Sequence, residues 1–125
     1  YYASLAELVG ERKIRCVIVD PSAASFIECV RRHGRFEVQR ADNDVLAGIR
    51  RTSDALKSGK IRICRPCADI IREFSLYRWD DNAKYDAPKK ENDHAMDDMR
   101  YFAAAVLNEH DDSFFAVSLS RERRF

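Results

Sequence analysis

The chain has 125 residues, with 22 Lys+Arg against 21 Asp+Glu, four cysteines and 46% hydrophobic residues. That is one domain's length, and its apolar content excludes a disordered or collagen-like chain. No apolar run approaches the roughly 18 residues that cross a membrane, and a net charge of +1 does not by itself mark a nucleic-acid binder.

In chain order, Tyr1 to Val9 reads as a helix with Leu5, Leu8 and Val9 on one side. Cys16-Val17-Ile18-Val19 is a continuous apolar run, the pattern of a strand buried on both faces. Asp20 suits the cap, and Pro21 the first position, of a helix from about Ser22 to Arg32 that Gly34 closes. Phe36 to Gln39 is a second strand. Asp42-Asn43-Asp44 offers caps for a helix from about Val45 to Lys57, ended by Gly59. Lys60 to Cys64 alternates polar residues with Ile61 and Ile63, as a short edge strand would. Cys67 to Tyr77 is helical, and Trp79 to Lys90 is a polar loop. Asn92 or Asp93 caps a last helix from about His94 to Leu107. Asn108 to Phe125 is irregular, with an apolar patch at Phe114-Phe115.

Strands alternating with helices predict an α/β layer with parallel strands. The sheet is narrow beside the usual about four to six strands. The chain also starts at Tyr1 rather than Met, with no secretory signal ahead of the first element. Nothing therefore argues for export, and the expectation is a processed start or part of a longer domain. There are no repeats. Neither G-x-x-x-x-G-K-[ST] nor G-x-G-x-x-G occurs, so no phosphate-cradling loop is encoded.

Cys16 and Cys29 read as small buried hydrophobes. Cys64-Arg65-Pro66-Cys67 is a lone C-x-x-C without the second ligand pair of a structural zinc site. It also lies far from a first strand, where a redox pair usually sits. Incidental thiols are the plain expectation, with redox and metal roles as alternatives.

Asp20 stands at the carboxyl end of the most apolar strand, where open α/β sheets bind ligands. Helix capping competes with metal or catalytic work for the same lone pairs. The second candidate group is Glu91-Asn92-Asp93-His94-Ala95-Met96-Asp97-Asp98. Helical spacing turns His94 toward Asp97 and Asp98, while Met96, Met99, Ala103 and Val106 form an apolar stripe. Acids at a helix start favour the macrodipole without any further role. An imidazole beside two carboxylates also suits a divalent cation. With the strand-end carboxylate, the group points to metal-assisted phosphodiester cleavage, in which two cations about 3.5–4 Å apart stabilise the attacking and leaving oxygens.

Four blocks resemble one family in order and spacing. Val17-Ile18-Val19-Asp20-Pro21-Ser22-Ala23-Ala24-Ser25 is similar to the second acidic strand of tailed-phage terminase large subunits. Ala41-Asp42-Asn43-Asp44-Val45-Leu46-Ala47-Gly48-Ile49-Arg50 resembles the following helix. Ile71-Arg72-Glu73-Phe74-Ser75-Leu76-Tyr77-Arg78-Trp79-Asp80 resembles the next one. Lys89-Lys90-Glu91-Asn92-Asp93-His94-Ala95-Met96-Asp97-Asp98-Met99-Arg100-Tyr101 resembles the closing signature. The resemblance spans residues 1–107 and is greatest to PBSX-like prophage terminases.

It implies a ribonuclease H-like α/β nuclease domain that cuts concatemeric DNA during genome packaging, using Mg2+ or Mn2+. Asp20 and Asp97 would be its metal-binding and catalytic carboxylates. His94 would be an additional metal ligand or base, and Asp98 a neighbour. Implied partners are double-stranded DNA, the terminase ATPase domain, the small terminase subunit and the portal, in the host cytoplasm and away from any membrane. One departure stands out. The family's first catalytic aspartate lies on an earlier strand, and Glu7 and Glu11, on or just after a helix, cannot replace it. The ATPase domain's phosphate-binding loop is missing too. The expectation is a partial nuclease domain over residues 1–107, lacking the first strands, followed by a tail over residues 108–125. The alternative is a catalytically inactive prophage remnant or fragment that serves only as a DNA-contact or packing module. A third reading, an unrelated α/β phospho-acceptor domain using Asp20, lacks the further strand-end acids and lysine it would need.

Overall fold

The computed structural model describes residues 1–107. The expected tail, with Phe114-Phe115, lies outside the described residues. Two compact units divide the chain, Tyr1–Asn43 and Asp44–Phe125.

The first unit holds α1 (Tyr2–Val9), β1 (Val17–Val19), α2 (Ala24–His33) and β2 (Val38–Arg40). The strands pair in parallel, as expected, in the register Val17↔Val38, Ile18↔Gln39, Val19↔Arg40. The ladder continues at both ends, where Val17 N–H donates to Glu37 O at 2.8 Å and Ala41 N–H to Val19 O at 2.8 Å. Apolar spacing on α1 and α2 supplies Val9 and Val30, which form a core with Phe36, and Tyr2, Leu5, Val17, Phe26 and Val38 pack against it. Of β1 only Val19 is buried, so the strand is half-covered rather than enclosed on both faces. Phe36, expected in β2, precedes the strand and is buried in that core.

Gly34 ends α2 with φ 69°, where a side chain would be strained, and its N–H donates to Val30 O and Arg31 O. Arg31, Arg32 and His33 fill the last turn, where cations favour the dipole. His33 stacks on Tyr2 with centroids 3.6 Å apart and ties α2 to α1.

The second unit holds α3 (Val45–Lys57), α4 (Ala68–Leu76) and α5 (His94–Val106), with α5 packed on both other helices. Asp44 caps α3 as expected, its side chain accepting from Ala47 N–H at 3.3 Å. The buried positions of α3 are Gly48, Thr52 and Ala55, a narrow strip of small residues that lets another helix approach closely. Met96, Met99 and Ala103 of the expected α5 stripe are buried, and Val106 is half-buried.

Lys60 to Cys64 is not a strand. Lys60 N–H and Ile61 N–H both donate to Ala55 O, at 2.9 and 3.2 Å, so this backbone closes α3 instead of joining a ladder. Among the described residues the named strands are β1 and β2. The polar loop after α4 is pinched by an isolated antiparallel bridge between Trp79 and Pro88. No helix of the described residues is long and apolar enough to cross a membrane.

Candidate catalytic and metal-binding residues

Asp20 follows the last residue of β1, at the strand's carboxyl end, as expected. It is not the cap of α2. That place belongs to Ala23, and Pro21 lies in the turn before it rather than at the first helical position. Asp20 Oδ1 accepts from both the N–H and the hydroxyl of Ser22, each at 2.8 Å, and its carbonyl accepts from Ala23 N–H at 3.0 Å. This Asx turn fixes the carboxylate's orientation locally, a role that aspartate fills well in tight turns. The competition foreseen for Asp20 is real, but it is with a turn rather than a helix end.

In the second unit the capping bonds of α5 come from elsewhere than its expected cap. Asp93 takes the N-cap position, yet its side chain makes no capping bond. Glu73 of α4 does that work. Its Oε1 accepts from Ala95 N–H at 2.9 Å and from Met96 N–H at 3.1 Å. These are the second and third residues of α5, whose N–H groups have no partner within their own helix. Glu73 is only 3% exposed. A buried carboxylate is costly unless paired, and here the positive end of the helix and Arg72 at 4.0 Å provide the pairing. Arg72 also donates to Asn92 Oδ1 at 3.2 Å. Asn92 carries the positive φ of 52° that turns the chain into α5, a conformation asparagine tolerates.

That anchored first turn presents His94 and Asp97. His94 and Asp98 are exposed, and the Asp97 side chain keeps 24% of its surface. Arg100, 3% exposed, donates from Nη2 to Asp97 Oδ1 at 3.1 Å. Arg100 in turn lies across Gly48 of α3. A Cβ at Gly48 would stand 2.5 Å from Arg100 Cδ and closer still to Cγ, nearer than real carbon atoms approach. Glycine at position 48 is therefore what admits the arginine between the helices, and the arginine is what holds Asp97.

Tyr77, just after α4, completes the neighbourhood. Burial raises its pKa above the ordinary 10.0, and the Asp97 charge adds to that rise. Arg100 opposes it, while Asp93 and Glu73 add to it. Glu73, Arg100 and Tyr77 did not emerge from motif reading. The signal available was a charged residue at a buried helical spacing. Arg100 shows it, four residues after Met96 and three before Ala103 of the apolar stripe, whereas no other buried residue of α4 marks Glu73.

Carboxylate oxygens are the hard donors that Mg2+ and Mn2+ take, and an imidazole extends the set toward Mn2+. The donor types at Asp20, Asp97 and His94 therefore suit such a cation. Among the described residues, however, no three His, Cys, Asp or Glu side chains gather closely enough to hold a metal ion.

No protein-family model matches the chain, and no curated protein matches it. Solved structures do. The large terminase of a thermophilic bacteriophage, in complex with ADP, is 42% identical, with a TM-score of 0.80. The match covers 86% of this chain and 28% of that one. A second crystal form of the same terminase gives the same identity and coverage with a TM-score of 0.81, and its complex with ATP-gamma-S gives 0.80. The chain thus spans about 28% of the length of the protein it matches. Over most of its own length, it shares fold and sequence with part of a phage large terminase.

Proposed function

We propose that this chain is part of the nuclease domain of a terminase large subunit, ribonuclease H-like in fold and of the PBSX-like prophage type. That domain cuts concatemeric DNA as a genome is packaged. The observation that carries the reading is the 42% identity to a phage large terminase over 86% of the chain. Asp20 and Asp97 are each metal-binding carboxylates in this reading, and His94 is a further ligand or base. Asp98 is their neighbour. A bound Mg2+ or Mn2+ would supply charge stabilisation for the attacking and leaving oxygens of a phosphodiester.

The chain's own contribution is to present those groups in fixed orientations. Ser22 holds the Asp20 carboxylate within its turn. Arg100 holds Asp97 through Oδ1, and Glu73 fixes the start of the helix that bears both Asp97 and His94. Preorganised groups of this kind lower the reorganisation needed at reaction. The partners that follow are double-stranded DNA, the terminase ATPase domain, the small terminase subunit and the portal, in the cytoplasm of the bacterial host.

The test is nicking of supercoiled plasmid in Mn2+ by the protein that carries this segment. Asp20→Ala and Asp97→Ala should each lose at least about 100-fold, more than the roughly 10–100-fold typical of groups one step removed from a metal. Nicking at the unsubstituted rate by either variant sinks that residue's assignment.

A further inference from the structure

We propose that Cys64 and Cys67 form a reversible thiol–disulfide site, oxidised by small-molecule disulfides of the glutathione class. The two lie at the ends of a single turn. Cys67 N–H donates to Cys64 O at 3.0 Å, closing Cys64-Arg65-Pro66-Cys67. A turn closed in this way keeps its end Cα atoms within about 7 Å. A disulfide requires about 4.4–6.8 Å. The turn therefore brings the two residues to about the separation the bond requires, and the ring of Pro66 fixes one of the turn's dihedrals.

The surroundings of the two thiols differ in the way exchange chemistry needs. Cys64 is exposed and open to attack on a soluble disulfide, whereas Cys67 is buried. Cys67 is the N-cap residue of α4, yet its side chain makes no capping bond, so its sulfur is not committed to the helix end. Arg62 and Arg65 flank the exposed thiol and are exposed themselves, which favours approach of an anionic disulfide such as oxidised glutathione. The absence of a strand at Lys60 to Cys64 matters here as well. The pair leads from a coil straight into a helix instead of standing at the end of an edge strand.

The chemistry balances in two exchanges. The Cys64 thiolate attacks one sulfur of the glutathione disulfide, and glutathione thiolate leaves and takes up a proton. Cys67, having lost its own proton, attacks Cys64 Sγ in the mixed disulfide and releases a second glutathione. The net change is oxidation of two protein thiols to one disulfide and reduction of one glutathione disulfide to two thiols. Excess reduced glutathione reverses it. The bond would clamp the entry to α4, the helix that brings Glu73 to the start of α5. The site is independent of any nuclease role.

The experiment equilibrates the purified chain across a series of reduced-to-oxidised glutathione ratios. It is followed by acid quenching, alkylation and peptide mapping by mass spectrometry. The expected result is an intramolecular Cys64–Cys67 crosslink whose fraction follows the oxidised concentration over the square of the reduced one. Cys67→Ser should trap the mixed disulfide on Cys64, and Cys64→Ser should abolish the crosslink and leave Cys67 slow to alkylate. Three results overturn the proposal: a stable mixed disulfide on Cys64 in the unsubstituted chain, pairing of either thiol with Cys16, Cys29 or another chain, and thiols that stay reduced at every ratio. Protection of both thiols by added Zn2+ at one metal per two chains, without any crosslink on oxidation, also overturns it in favour of a metal site. The map of the unsubstituted chain decides by itself should a variant fail to fold.

Discussion

At position 48 one missing methyl group decides where Arg100 lies. In an exposed helix, replacing glycine by alanine stabilises by roughly 0.5–1 kcal/mol. Here the new Cβ would run into the middle of the Arg100 side chain, within a buried contact. Overpacking of this kind costs about 1–3 kcal/mol, so the clash outweighs the helix gain. Gly48→Ala should therefore lower stability in urea unfolding by about that amount. A stabilised variant would mean that Arg100 shifts at little cost. Tyr77 gives a prediction in pH. Its folded-state pKa is raised, chiefly by burial and then by Asp97, so the neutral phenol is favoured in the fold. The stability this contributes is complete below the unfolded value of about 10 and is lost as pH rises through the raised folded value. The stability of the metal-free chain minus that of Tyr77→Phe should therefore fall as pH rises above about 10. A flat difference there would show a tyrosine titrating at its ordinary value.

Among the elements, the helices were the most legible. Periodicity and caps located α3 to its observed bounds, because Asp44 and Gly59 punctuate it locally. The end of α2 was equally plain from Gly34. The start of α5 at His94 was legible too, but the start of α2 was not, nor was the bonding that caps α5, and both misses have one cause. Asp20 and Asp93 look like helix caps in sequence, but a cap needs the right backbone angles as well as the right side chain. Asp20 is held in its Ser22 turn, and the start of α5 is satisfied by Glu73 across a gap of 22 residues. Local pattern cannot report a partner that distant. Removing that partner should be costly, since two buried N–H groups would lose a charged acceptor. Glu73→Ala should destabilise by about 2–3 kcal/mol in thermal or urea unfolding. It should also loosen the first turn of α5, visible as faster amide exchange at Ala95 and Met96. Unchanged exchange there would show that water replaces the carboxylate.

On the scale of the whole chain, two units differ in how well they can support themselves. Tyr1–Asn43 has a two-stranded sheet and six buried apolar residues, of which Val9, Val30 and Phe36 form one cluster. Two-stranded sheets are marginal in water, and units this short bury little of their surface. In the second unit, α5 buries six residues and packs on two helices. Native-state hydrogen exchange should therefore protect the amides of α3 and α5 at least about tenfold more than those of β1 and β2. Equal protection would show that the strands share the stability of the helical unit. β1 and β2 each have the other as partner in the named sheet, so each leaves an edge unpaired by a named strand among the described residues.

By itself the sequence determined the α/β alternation, the parallel pairing of β1 with β2, the bounds of α3, and the placing of Asp20 after a strand and of His94 and Asp97 on the first turn of a helix. It also carried the terminase resemblance, which the 42% identity to a phage large terminase supports. These are properties of short spacings, in which hydrophobic period and capping chemistry act within a few residues. Only the tertiary structure decided that Lys60 and Ile61 close α3 rather than form a strand, that Glu73 caps α5, and that Gly48 makes room for the Arg100 that holds Asp97. Each of those depends on backbone or side-chain groups brought together by packing, and packing follows from which faces meet in space rather than from the order of residues along the chain.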